Sequence, residues 1–409
     1  VSAVLFTNAR VVTPEGPGPH RGTSMRNLRI LDNADVLIDN ARIAAIEPAG
    51  TINPPRDAHV IDARSRVLMP SFVDAHTHAC WAGDRVDEWT RKLAGATYLD
   101  LLKAGGGIMS TVRAVRASTQ QELAANLAAR LGLMLRAGTT TVEVKSGYGL
   151  STTDELKMLR AVRDASRSFP GAVVPTALIA HAIDADHPSR ADFIETTIHE
   201  TLDAIHTEFP GITLDAYCED GAWSLDECAR LFSRAQTLAH PFRAHADQFN
   251  SLGMTRWAID HGAQSVDHLE ATSPDDLASL ARSSTYGVML PCAGFHTDGR
   301  YANGRAFIDA GGQLVIATNC NPGSAPTHSM PMAIALAVRF NRITPSEAIT
   351  ATTANAAALL GFTDRAHISI GARADLILLR HTDERALAFE FGDNPVDVVV
   401  SGGAIIAPA

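Results

Sequence analysis

The sequence predicts an α/β fold: a (β/α)8 TIM barrel carrying a small β-sandwich-like domain built from both chain ends. Three observations predict it. Eight short apolar runs alternate with long amphipathic segments through the middle of the chain, the signature of parallel strands joined by crossover helices. The two ends instead alternate short β-like runs with turns. No G-x-G-x-x-G follows the first run, which argues against an open doubly wound sheet.

At the N-terminus "AVLFTNARVVT", "ADVLIDNARIAAI" and "HVIDARSRVLMP" supply the β segments, and near the C-terminus "ADLILLR" and "VDVVVSGGAII" do the same. The expected division is 1–66 and 364–409 for the two parts of the small domain and 67–363 for the barrel. The eight barrel runs are "RVLMPSFVDAH", "TTTVEVKSG", "VVPTALIAHA", "ITLDAYCED", "FRAHADQ", "SVDHLE", "GVMLPC" and "LVIATNCN". Between them, Ser118 and Gln121 suit a capping box ahead of Leu123, Leu127, Leu131 and Leu135, with Gly138 as the stop. Thr152 and Glu155 suit the start of a helix that turns Leu156, Leu159 and Val162 inward. No internal repeat or low-complexity tract interrupts the pattern.

Composition narrows the class. The 409 residues are 46% hydrophobic and 20% charged, and the mean hydropathy is +0.02, ordinary values for a folded globular chain. A net charge of -10 without any basic cluster argues against nucleic acid. No apolar window is long enough for a membrane span, and no signal-peptide order opens the chain. The five cysteines are scattered without C-x-x-C spacing, so a reduced, cytoplasmic protein is expected.

In a barrel the chemistry sits where the strands end, at the C-terminal face. Those ends carry His76 and His78, Glu143 and Lys145, His181, Glu219, His245, His268 and Asn319. On an extended chain i and i+2 share a face, so His76 and His78 can reach one ion. A lone His-x-His is more often two unrelated loop residues; its place on the first strand, with His245 ending the fifth, reverses that reading. Three imidazoles suit one divalent ion, zinc or iron, with room for water. His268 reads either as a core histidine bonded to Asp267 or Glu270, or as a general base. Arg85 offers a forked donor for a carboxylate, although such arginines are commonly surface ion-pair partners. Tyr148, in the glycine-flanked "KSGYGL", either donates to a ligand or covers the barrel end. "KAGGGIMSTVR" lacks the Gly-Lys-Ser/Thr ending of a phosphate loop. Cys320 has no basic neighbour in sequence and reads as buried and inert.

The order His-x-His on strand one, His245, His268 and a polar residue after strand eight resembles the amidohydrolase superfamily. More closely, "HTHACWAGDR", "GGGIMSTVRAVRAS", "GTTTVEVKSGYGL", "DELKMLRAVR", "AHADQ", "DHLE" and "NCNPGSAPT" resemble the imidazolonepropionase family, over roughly residues 60 to 360. That family opens an imidazolone ring to N-formimidoylglutamate in histidine degradation. The resemblance implies metal ligands at His76, His78 and His245 and substrate contacts at Arg85, Tyr148, His181, Gln248, Asn321, Gly323 and Ser324. It gives His268 a part in activating water. It further implies a small anionic heterocyclic substrate and a homodimer.

Two features depart from the family. Asn319 stands where the family has an aspartate that ligates the metal and can take a proton. "LPCAGFHTDGR" differs from the apolar, aromatic segment usual after strand seven. An amide accepts a hydrogen bond but takes no proton near neutrality. Asn319 therefore leaves three readings: a paralogue with altered chemistry, such as sulfur removal from a thioxo-imidazolone propionate in ergothioneine breakdown; an introduced change; or a barrel that binds without turnover.

Overall fold

A computed structural model describes residues 3–95 and 106–406. Lys103, Ala104 and Gly105, which begin the glycine-rich stretch, lie outside them. The described strands form two sheets of eight. The first takes β1 (Val4–Pro14), β2 (Leu28–Asp39), β3 (Arg42–Pro48), β4 (His59–Asp62) and β5 (Val67–Pro70) from the N-terminal part of the chain. The second is a run of parallel strands: β6 (Phe72–Asp74), β7 (Thr139–Lys145), β8 (Ala172–Ala180), β9 (Thr213–Cys218), β10 (Phe242–Ala246), β11 (Ser265–His268), β12 (Tyr286–Met289) and β13 (Leu314–Ile316). The C-terminal strands β14 (Leu376–Leu379), β15 (Val396–Ser401) and β16 (Ala404–Ile406) return to the first sheet.

That first sheet runs β16-β15-β14-β5-β1-β2-β3, with β4 also on β1. Its pairing is that of one branched mixed sheet, because β1 pairs β4 through Val4–Thr7 and β5 through Arg10 and Val11. Phe6, Val11, Val36, Leu68, Leu376 and Val400 join in its own apolar cluster.

The second sheet holds the eight runs in sequence order, β6 to β13, with helices packed outside it. Buried on both faces, its strands can be apolar throughout or carry polar side chains inward only where partners await them. The run "RVLMPSFVDAH" is divided: Val67–Pro70 pairs with β1 and β14, whereas Phe72–Asp74 pairs with β7. Pro70 has no N–H to extend the ladder, and the chain crosses between sheets at Ser71, whose N–H donates to the Asp375 carbonyl at 3.0 Å. The barrel closes past the strand ends. Asn319 N–H donates to the His76 carbonyl at 3.1 Å, and His78 N–H to the Cys320 carbonyl at 2.9 Å. The first and eighth strands thus fix each other's chemistry-bearing residues.

Two helix starts fall one residue from the sequence expectation. Thr119, not Ser118, caps the helix Gln120–Arg136, with Glu122 completing the box. Ser118 is occupied as the end of the preceding helix, its hydroxyl donating to the Ala114 carbonyl. Likewise Ser151 caps Thr152–Ser166 by accepting from Asp154 N–H. Glu155 turns back instead, accepting from the N–H groups of Gly147, Gly149 and Leu150 at 2.7–2.9 Å. This buried carboxylate pins the turn that carries Tyr148.

Candidate active site

His76 and His78 leave β6 on one face and meet His245, the fourth residue of β10, inside the barrel mouth. The rings of His76 and His245 are 4.5 Å apart between centroids, and those of His78 and His245 5.2 Å. Behind His76, Nδ1 donates to Asp267 at 2.6 Å; behind His245, Nδ1 donates to Asp215 at 3.1 Å. A carboxylate on Nδ1 fixes the tautomer and leaves Nε2 with an open lone pair. His76 Nε2 has no hydrogen-bond partner among the described residues, nor has His78 Nδ1. His78 Nε2 sits 3.2 Å from His245 Nε2. Burial first, then neighbouring positive groups, pushes the pKa values of His76, His78 and His245 well below 6.5. Neutral imidazoles with unshared lone pairs are the form that binds a metal.

His268 enters the same group. Ligating atoms of His76, His245 and His268 lie within 4.8 Å of one another. Of the two carboxylates the sequence offered it, His268 takes Glu270, through Nδ1 at 3.3 Å; Asp267 belongs to His76. Alternation explains this. Ser265 and Asp267 share the inner face of β11, and Ser265 Oγ donates to Asp267. His268 should point outward, but φ angles of 90° at His268 and 73° at Leu269 turn the chain. Such conformations cost about 1–3 kcal/mol each outside glycine and gather at functional sites.

Asn319 also has a left-handed φ, 57°, which asparagine tolerates. Its Oδ1 is buried and has no partner among the described residues. Beside it, the buried Asp74 carboxyl accepts from Thr318 N–H and Oγ1 and is pushed up to about 7 by burial.

The remaining site candidates fall into two kinds. His181 stacks on His78 at 4.9 Å and 22°, with its Nδ1 on the Gly147 carbonyl at 2.9 Å; burial lowers it to about 4. Tyr148 lies 5.2 Å from His181 between ring centroids, and burial raises its phenol. Both face the histidine cluster. The others are already engaged. Arg85 Nε and Nη2 grip Glu88 at 2.6 and 2.5 Å, so the ion-pair reading holds for that edge. A Cβ on Gly323 would meet Arg85 Nη1 at 3.2 Å, which shows how closely the loop approaches the guanidinium. Asn321 braces the loop itself: Nδ2 donates to the Asn319 carbonyl and Ser324 Oγ, and Oδ1 accepts from Gly323 and Ser324 N–H. Gln248 Oε1 accepts from Tyr217 OH at 2.8 Å. Cys320 is buried, and burial raises its thiol well above 9.0.

Beneath the histidines lies a layer the sequence reading did not assemble. Lys145 Nζ donates to Glu143 at 2.7 Å and to Asp215 at 2.8 Å, all three fully buried. Arg243 donates to Asp267 at 2.6 Å and to the Ala75 carbonyl at 2.8 Å. Glu143 also accepts from Thr77 N–H at 3.1 Å. The available signal was the i, i+2 spacing of Glu143 with Lys145 and of Arg243 with His245, which puts each pair on the inner face.

A barrel closed around buried imidazoles, with carboxylates behind them, is the architecture of metal-dependent amidohydrolases. The amidohydrolase family model matches residues 67–406. Imidazolonepropionases of Herpetosiphon aurantiacus and Deinococcus radiodurans are each 41% identical; the first alignment covers 98% of this chain and 96% of the relative, the second 99% and 100%. The chain belongs to the imidazolonepropionase family of amidohydrolases. Solved structures share the fold at lower identity. A triazine hydrolase variant superposes with a TM-score of 0.76 at 16% identity, over 98% of this chain and 94% of its own. N-isopropylammelide isopropylaminohydrolase from Burkholderia multivorans gives 0.69 at 19%, over 99% and 98%. No described helix is long and apolar enough to cross a membrane.

Proposed function

We propose that the protein hydrolyses the cyclic amide of an imidazolone ring bearing a propionate tail, using one divalent ion, zinc or iron, held by His76, His78 and His245 beside Asn319. The observation that carries this is the meeting of imidazole nitrogens in a buried mouth, with Asp267 and Asp215 behind two of them. A bound divalent ion supplies an activated water near neutral pH and polarises the ring carbonyl. His181 and Tyr148 flank the ring. Arg85 and the loop Asn321–Gly323–Ser324 hold the anionic tail, which requires Arg85 to exchange part of its grip on Glu88, and Gln248 contacts the ring. His268 takes the proton of the attacking water and returns it to the departing nitrogen. Asn319 orients through Oδ1 and takes no proton. On the same reading the working assembly is a homodimer.

Eight relatives 36–41% identical all carry the name imidazolonepropionase, which favours ring hydrolysis over sulfur removal and over binding without turnover. Incubation with 4-imidazolone-5-propionate and its 2-thioxo analogue tests this. Ring opening of the first is expected; sulfide released from the second, with the first untouched, would overturn it. With His268 as base, Asn319→Asp is expected to change the hydrolysis rate by less than about 10-fold. A gain of the ~10²–10⁴ typical of a restored general base would move the proton role to position 319.

A further inference from the structure

The carboxylates around the barrel mouth are almost all spoken for. Glu219 accepts from the N–H groups of Phe249 and Asn250 and from Asn250 Nδ2. Asp247 accepts two hydroxyls through Oδ2, from Thr255 and Thr272, although its Oδ1 has no partner among the described residues. Glu88 holds Arg85, and Glu155 holds its turn. Glu270 differs. Its side chain is 5% exposed, and its one side-chain hydrogen bond among the described residues, between Oε1 and His268 Nδ1, is a long 3.3 Å. Oε2 is buried and has no hydrogen-bond partner among the described residues.

Glu270 and Gln248 together line a narrow cleft against the helix Pro291–His296 and Arg300. The other charges of that cleft cancel, since Arg300 pairs with Asp298 at 2.6 Å. Gln248 is neutral and already accepts from Tyr217. The strained turn at His268 and Leu269 immediately precedes Glu270 and aims it. A buried carboxylate oxygen without a donor is costly unless a ligand supplies one, and the donor it prefers carries positive charge.

We infer that Glu270 is the acceptor for an N–H of the substrate's N–C–N unit and holds the amidinium that this unit becomes when the ring opens. The inference rests on the ring-hydrolase reading above. In that reaction the water oxygen bonds to the carbonyl carbon and the carbon–nitrogen bond breaks, its electron pair staying on nitrogen. The water's two protons end on the amidine, one directly and one from the new carboxylic acid, leaving a carboxylate and a formamidinium. The charge that appears on the N–C–N unit is the charge Glu270 complements.

Equilibrium binding of two ligands to the metal-loaded protein tests this: N-formimidoylglutamate, which carries the amidinium, and its N-formyl isostere, which presents a carbonyl there. The wild type should prefer the first by about 10- to 100-fold, the size of a charge-assisted hydrogen bond. Glu270→Gln should bring the preference within about twofold while binding the formyl ligand as before, and Glu270→Asp should restore part of it. An unchanged preference in Glu270→Gln, or none in the wild type, overturns the assignment. Imidazolone turnover by the wild type, measured alongside, separates the two claims. Failure there defeats the ring-hydrolase reading; turnover with an unaltered preference defeats Glu270 alone.

Discussion

The floor and the mouth of the barrel are both buried and both full of polar groups, yet they treat them oppositely. On the floor, each carboxylate of Glu143, Asp215 and Asp267 meets a cation or a histidine N–H at 2.6–3.1 Å. At the mouth, His76 Nε2, His78 Nδ1, Asn319 Oδ1 and Glu270 Oε2 have no partner among the described residues. Buried polar atoms are normally satisfied. The floor's carboxylates follow that rule and so read as scaffold, even though Arg243 Nε lacks a partner among the described residues; the mouth breaks it within one small volume, which reads as capacity held for a ligand. Two of the four atoms, the oxygens, are acceptors by chemistry alone, and the other two sit on neutral imidazoles.

The largest effect should come from the mouth and appear in rate. His268→Asn is expected to lower turnover by about 10²–10⁴, the usual range for a lost general base, with metal content by elemental analysis unchanged. If metal is lost along with activity, His268 belongs with His76 and His245 as a ligand, the trio the geometry allows. The floor should answer in stability. Lys145→Met removes the shared cation of Glu143 and Asp215, and breaking a buried ion pair costs about 3–5 kcal/mol. A denaturant midpoint close to that of the wild type would show that the floor is not the scaffold it resembles.

The two regions were also unequally legible. His76 with His78, and Glu143 with Lys145, follow from the two-residue period of a strand, which needs no knowledge of the fold. All eight barrel strands overlap the apolar runs for the same reason. Partnerships across the barrel leave no such trace: Asp267 lies 191 positions from His76, and only closure brings them together. Local competition hid the helix starts, since Ser118 was already bonded to Ala114 and Glu155 to the Gly147–Leu150 turn. His268 defied the period outright, because its φ of 90° abandons the strand geometry on which the period depends. Asn321 and Gln248 have the right composition for ligand contact, but their principal hydrogen bonds are internal, which a residue type cannot reveal.

The smallest effect is the most discriminating, because its sign differs between the regions. Glu270→Gln keeps an oxygen for His268 Nδ1 and replaces a buried, unpartnered carboxylate oxygen with a neutral NH₂ group. A charged group left unsatisfied in the interior is penalised more than a neutral one, so the ligand-free variant should be more stable than the wild type by about 1 kcal/mol. On the floor, every comparable removal of charge should destabilise. Thermal unfolding of the two proteins without ligand decides it. A loss of stability in Glu270→Gln would mean that Oε2 is satisfied in solution, and that the mouth follows the floor's rule after all.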